Sequence, residues 1–217
     1  VIIYQGRKVM NLFEINDVEY KIDQQKILKK QNFAVKKIEH LLILGPSGSG
    51  KTTLLNLLSG LLKPSSGEII FSNKKYSTLS EEQIDKLRLE NFGFIFQKPY
   101  LIKHLNIEQN INLFPKQISK SNTSNLLNIL GLSDKAKQKA YGLSVGEAQR
   151  VAIARGLANN PKIIFADEPT SALDDENTEN VLKLLFSYCK KNDSTIIVSS
   201  HDKRIKSFFS RKIEIKL

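Results

Sequence analysis

An α/β fold is predicted, with a mostly parallel sheet, an antiparallel sheet at the amino end and one helical insertion. Three observations carry the prediction. Short apolar runs of the buried-strand kind alternate with amphipathic helical patterns, as they do when helices cross over between parallel strands. One of those runs, "HLLIL" (40–44), passes through a Gly-rich turn straight into a helix. From residue 98 to about residue 160 no convincing strand pattern remains and only helical stretches are found.

In chain order, alternation in "FEINDVEYKI" (13–22) and "FAVKKI" (33–38) predicts two antiparallel strands. After "HLLIL" and its turn, a helix is expected over Lys51–Leu62. "GEIIF" (67–71) and "FGFIF" (92–96) read as strands, with "SEEQIDKLRLE" (80–90) helical between them. The insertion is expected to hold helices near 106–113, 123–131 and 144–158. Strands return at "KIIFA" (162–166) and "TIIVSS" (195–200), separated by the amphipathic "DENTENVLKLLFSYCKK" (175–191). A last helix, 202–209, precedes "KIEIKL" (212–217). The chain therefore reads as one domain, 1–217, in which 1–97 and 161–217 form the α/β core and its antiparallel part, and 98–160 a helical subdomain. Met10 is the sole methionine, and residues 1–9 read equally as an upstream extension or as an ordinary first strand.

Composition narrows the function classes. With 217 residues, 41% apolar and 25% charged, the chain is of a size and make-up that buries a sizeable core. No run approaches the eighteen or so apolar residues of a membrane span, and no secretory leader pattern opens the chain. A single cysteine, Cys189, excludes an internal disulfide and fits a reducing cytosol. The net charge of +11 rests on 27 lysines and only 6 arginines. Readers of bases and phosphates favour the planar guanidinium fork, so the lysine excess is read as coding bias, and no specific nucleic-acid partner is expected.

"GPSGSGKT" (45–52) has Gly45, Gly50, Lys51 and Thr52 at every fixed position of a G-x-x-x-x-G-K-[ST] phosphate loop, with a strand before it and a helix after. Gly45, Pro46, Ser47, Gly48, Ser49 and Gly50 form the turn, whose backbone N–H groups converge on a β-phosphate at a partially positive helix start. Lys51 is assigned to the β- and γ-phosphates, the Thr52 hydroxyl to Mg²⁺ and Thr53 to the α-phosphate. The chain is thus expected to bind a nucleoside triphosphate.

"KIIFADEPT" (162–170) places two carboxylates at the carboxyl end of a buried parallel strand, the edge where ligands of open α/β sheets bind. Asp167 is assigned to the Mg²⁺ shell. Glu168 is assigned to orienting and polarising an attacking water. Gln97 ends the "FGFIF" strand at the entry to the insertion, in reach of metal and water. His201 ends "TIIVSS" and is placed to donate to a γ-phosphate, whereas His40 and His104 are read as packing or surface residues.

"LSVGEAQR" (143–150) carries neither a metal ligand nor a nucleophile. Ser144 and Glu147 form an S-x-x-E capping box before the apolar "VAIARGLA" helix. That accounts for the helix start but not for Gly146, which lowers helix propensity in a first turn. A hydroxyl beside bare N–H groups is a phosphate receptor with no phosphate of its own, and the economical answer is a second copy arranged head to tail.

The phosphate loop, Gln97, "LSVGEAQR", "IIFADEP", "SALD" (171–174) and His201, in this order, resemble the nucleotide-binding subunit of ATP-binding-cassette (ABC) transporters, from about Asn11 to the end of the chain. "GFIFQ", "LIKHLNIEQNI" and "ADEPTSALD" resemble its lipoprotein-release, macrolide-export and cell-division branch. The resemblance implies a P-loop NTPase (RecA-like) core with ATP and Mg²⁺ as ligands. It implies that Tyr20 stacks on adenine, that Ser144 and Gly146 bind a partner copy's γ-phosphate, and that Asp174 links the two sites. It also implies an integral-membrane permease as partner, faced by Gln97 and the helices after it on the cytoplasmic side of the cell membrane. The chain departs from the family pattern at Val145, where glycine is usual, and at Glu147, where glutamine would contact ribose. A mechanical ATPase of the same fold, acting in cell division, and a nucleotide-binding regulator without turnover are the competing readings.

Overall fold

The computed structural model describes residues 11–113, 120–171 and 173–216. The strand reading of residues 1–9 and the Ala172 position of "SALD" lie outside the described residues.

Two sheets share the core. The first is antiparallel, with order β2-β1-β4-β5, formed by β1 (Asn11–Ile22), β2 (Gln25–Lys36), β4 (Ser66–Phe71) and the short β5 (Lys74–Lys75). The second has five parallel strands in the order β6-β7-β8-β3-β9: β3 (Leu41–Leu44), β6 (Phe92–Ile95), β7 (Ile163–Asp167), β8 (Thr195–Ser200) and β9 (Arg211–Glu214). Alternate side chains of each inner strand enter opposite apolar layers. Leu41, Ile43, Ile163, Phe165 and Ile197 pack toward the antiparallel sheet, α1 (Lys51–Leu58) and α2 (Glu81–Asn91). Leu42, Ile164, Ala166, Ile196 and Val198 pack toward the helices of the other side.

Those helices are α3 (Ile107–Ile111), α4 (Lys120–Ile129), α5 (Val145–Leu157) and α6 (Asp175–Asn192). The first three lie between β6 and β7, where helical periodicity alone was expected. A pair of glycines seats α5 on the sheet. A Cβ on Gly93 would lie 2.1 Å from the Gly156 carbonyl oxygen, and one on Gly156 would lie 2.7 Å from that of Phe94. On the opposite face Phe13, Phe71, Phe92 and Phe165 interlock with ring centroids 5.0–6.4 Å apart, joining the two sheets.

Three elements differ from the sequence expectation. β2 begins at Gln25 rather than at residue 33, because its lysine-rich first half pairs along the sheet edge while leaving most side chains exposed. α1 stops at Leu58 rather than Leu62, where Gly60 turns the chain with φ +70°. Residues 203–208 form a 3-10 turn capped by Asp202, too short for the expected α-helix.

Candidate functional site

The strand order sets the carboxyl ends of β7, β8 and β3 in a row. Register places Asp167 level with Ser199 and Leu44 level with Ser200, so residues 167–168, 199–201 and 45–52 emerge together at one edge of the sheet.

The 45–52 loop turns through left-handed backbone at Gly48 (φ +80°) and Gly50 (φ +95°), which glycine adopts without steric cost. α2, α3, α5 and α6 each start at a side-chain cap, from Ser80, Asn106, Ser144 and Asp174. α1 instead starts at Gly50, with no side-chain cap and no acidic residue in its first turn. Its leading N–H groups have no partner inside the helix and carry the positive end of the dipole. Ser47 is exposed on the rim, Thr53 is half-buried, and the buried Ser49 hydroxyl has no hydrogen-bond partner among the described residues. This is a cradle for an anion.

Lys51 is 7% exposed. Its Nζ donates to the carbonyls of Gly45 (2.9 Å) and Pro46 (3.0 Å) and lies 3.9 Å from Glu168 Oε1. The ammonium is therefore held in the loop and faces a buried carboxylate. Thr52 Oγ1 donates to Asp167 Oδ2 at 2.8 Å, and Ser199 Oγ donates to Asp167 Oδ1. The exposed Thr52 hydroxyl and the Asp167 carboxylate make a hard-oxygen pair of the kind that suits Mg²⁺.

Glu168 departs from strand geometry with φ +47°, a conformation costing roughly 1–2 kcal/mol for a side chain of this type. The turn is held by its N–H, which donates to the Ser199 carbonyl at 3.0 Å. It brings the carboxylate, 7% exposed, under three donors: Ser200 Oγ at 2.8 Å, the His201 N–H at 3.1 Å and His201 Nδ1 at 2.7 Å. The rest of His201 is largely open to solvent. Gln97 shares with Thr52 and Asp167 the wall of a cavity of about 380 Å³, beside Phe94, Phe96 and Tyr100. Tyr20 pairs across the ladder with Leu28, whose side chain approaches Gly50, and the half-buried Tyr20 packs against the same apolar layer as Leu28.

The remaining expected residues lie apart. Ser144 Oγ accepts from the Glu147 N–H at 3.3 Å, and Glu147 Oε2 accepts from the Ser144 N–H at 2.8 Å, which completes the capping box. Glu147 is also ion-paired with Lys135, so its carboxylate is engaged within the chain. Among the described residues, no hydrogen bond or ion pair joins Ser144, Gly146 or Glu147 to the loop, Gln97, Asp167, Glu168 or His201. Asp174 is exposed and caps α6 by accepting from the Asn177 N–H at 2.8 Å.

Several contributors escaped the sequence reading. Buried Gln149, on α5, donates to the Pro169 carbonyl at 3.1 Å and so ties that helix to the chain just past Glu168. Arg155 braces residues 99–100 by donating to the carbonyls of Pro99 (2.6 Å) and Tyr100 (2.9 Å). Ser199 and Ser200 carried a signal, as polar residues closing an apolar strand. Gln149 and Arg155 carried none beyond polar positions in an apolar helix.

An uncapped helix start behind a glycine turn, facing a hydroxyl–carboxylate pair and a buried glutamate across parallel strand ends, defines a P-loop nucleoside triphosphatase. The comparisons with known proteins narrow the class. A family model described as ABC transporter matches residues 28–171. Two relatives provisionally named hemin import ATP-binding protein HrtA come from Staphylococcus haemolyticus and Staphylococcus aureus (strain Newman). They are 39% and 38% identical over 201 residues, covering 89% and 90% of this chain and 90% of each relative. Among solved structures, the dimeric ATP-binding cassette MJ0796 in a post-hydrolysis state with ADP and Pi superposes with a TM-score of 0.85 at 35% identity, covering 94% of both chains. The cbiO1 structure from Clostridium perfringens gives 0.84 at 30% identity, covering 94% of this chain and 84% of that one. The chain belongs to the ABC transporter family, as its ATP-binding and ATP-hydrolysing subunit.

Proposed function

We propose that Lys51 and the 45–53 backbone hold the phosphates of ATP, that Glu168 orients and deprotonates the attacking water, and that His201 steadies the γ-phosphate. The observation that carries this reading is the buried Glu168 carboxylate, held by Ser200 and His201 and 3.9 Å from Lys51. Its lone pairs are aimed by fixed donors, which is what a general base needs. Thr52, Asp167 and Gln97 would hold Mg²⁺, which would neutralise charge on the phosphate oxygens. Tyr20 would stack on the base.

Ser144 and Gly146 belong to the ATP of a second copy. Support comes from what the chain itself does not require. A Cβ on Gly146 would meet nothing closer than 3.7 Å, so neither backbone conformation nor internal packing demands glycine there. The neighbouring Val145 is 65% exposed and Ser144 is also exposed. Glu147 tunes this receptor rather than contacting ribose, since its carboxylate already caps Ser144 and pairs with Lys135. The dimeric cassettes among the solved relatives support a homodimer. Asp174, exposed at the start of α6, would link the two ATP sites.

A membrane subunit would dock where Tyr100, 67% exposed, and Gln97 border the cavity above Asp167. No helix among the described residues is long and apolar enough to cross a membrane. By its membership of the ABC transporter family, this chain would work through that partner from the cytoplasmic face. Hemin is the cargo named for the relatives. Cargo selection would lie with the membrane subunit, because the residues assigned here all address nucleotide or protein.

Steady-state hydrolysis paired with equilibrium ATP binding tests the assignment. Glu168→Gln is expected to bind Mg·ATP and lose turnover by about 10²-fold or more, since an amide cannot accept the water's proton. Lys51→Ala is expected to weaken binding itself. A Glu168→Gln protein hydrolysing ATP at the parental rate would remove Glu168 from its role.

A further inference from the structure

The geometry points to Arg204 as a positioning residue that couples the 173–175 segment, at the start of α6, to Glu168 and His201. Arg204 lies in the 3-10 turn just after His201. Its Nε donates to both carboxylate oxygens of Asp202, at 3.0 and 2.9 Å, and its Nη2 lies 2.7 Å from Asp202 Oδ2. The other side of the guanidinium reaches the start of α6. There it is ion-paired with Asp175, and both terminal nitrogens donate to the Leu173 carbonyl at 3.4 and 3.5 Å.

The link continues inward. The Asp202 N–H donates to Ser200 Oγ at 3.0 Å, and that same hydroxyl donates to Glu168 Oε2 at 2.8 Å. A continuous chain of contacts thus runs from Leu173 and Asp175 through Arg204, Asp202 and Ser200 to the buried carboxylate. An isolated surface ion pair would add little. A planar fork shared among two carboxylates and a carbonyl fixes orientation as well as charge, and lysine, a point charge, cannot reproduce it. Asp202 is mostly buried, with its carboxyl held below the ordinary range first by the Arg204 hydrogen bond.

Resting on the roles proposed for Glu168, His201 and Asp174, this link gives the outer face of the 173–175 segment, where the second copy would press, a hydrogen-bonded route to the site of water attack. Its loss is expected to fall on turnover and not on ATP binding.

The test measures kcat, KM, ATP affinity and Tm for the full chain carrying Arg204→Gln, Arg204→Lys, Asp175→Asn and the Arg204→Gln/Asp175→Asn pair, with Glu168→Gln alongside. Arg204→Gln is expected to lose about tenfold or more in kcat through small misplacement of the reacting groups, with ATP affinity within about twofold of the parent. Arg204→Lys should recover only part of the loss. Asp175 is almost fully exposed, so its substitution has no packing consequence. Asp175→Asn should still lower kcat, and the double variant should fall no further than Arg204→Gln, because both act on one link. If Arg204→Gln does not fold, Asp175→Asn alone decides the matter. Parental kcat in Asp175→Asn, or a fall in Arg204→Gln that only follows its Tm, would overturn the coupling role. Parental turnover in Glu168→Gln would instead strike at the catalytic assignment on which it rests.

Discussion

Glu147 shows how one side chain is set by its neighbours. The Lys135 ammonium hydrogen-bonded to it, and then the Ser144 N–H, hold its carboxyl at about 2, below the ordinary 4.5. Because the folded value is depressed, the stability that Glu147 supplies is fully present above about pH 4.5 and is lost as pH falls through about 2. Thermal melts of the parent should therefore drop more steeply between about pH 5 and pH 2 than those of Glu147→Gln, which keeps an acceptor but has nothing to titrate. Parallel curves for the two proteins would contradict the Lys135–Glu147 pairing. Glu168 is the opposite case: its three donors, all on the adjacent Ser200 and His201, and the Lys51 ammonium come from two distant parts of the chain, and its φ of +47° persists because all of them hold it there.

At the scale of elements, the seat of α5 on β6 decides where the Ser144 end of that helix projects. Gly93 and Gly156 meet backbone to backbone, and a methyl on Gly93 has no room between the Gly156 carbonyl and Pro161. Gly93→Ala is expected to cost roughly 1–3 kcal/mol of stability, as overpacking does. Gly142→Ala, whose Cβ would meet only the flexible end of Gln138 at 3.3 Å, should stay within about 0.5 kcal/mol. Denaturant melts of the two variants make the comparison, and equal stability would show that the contact is not tight. Most strands and helices were legible in the sequence because period and punctuation are local: the phosphate loop, Asp167–Glu168 and the Ser144 cap all lie within a few residues of their signals. The strand order was not legible. β3 lies beside β8 and β9, more than 150 residues away along the chain, and only tertiary packing selects that neighbourhood. Gln149, Arg155 and Arg204 were missed for the same reason, since each acts on a segment 20 to 56 residues distant.

For the whole molecule, charge and composite sites are connected. Each copy carries +11, so two copies repel in the absence of a counter-charge, and two ATP molecules bound at the proposed interface would supply one. Association is therefore expected to depend on nucleotide. Whether Ser144 and Gly146 complete the site of a second copy is decided by light scattering of the Glu168→Gln chain with Mg·ATP, with Ser144→Arg or Ser144→Asp added. Aspartate caps helices as well as serine does but repels a phosphate, so it separates the two roles of this position. Dimers are expected for Glu168→Gln with ATP and monomers for both double variants, with the Ser144→Asp protein melting at the parental temperature. A Ser144→Asp protein that melts normally and still dimerises with ATP would contradict this expectation and leave Ser144 as a helix cap.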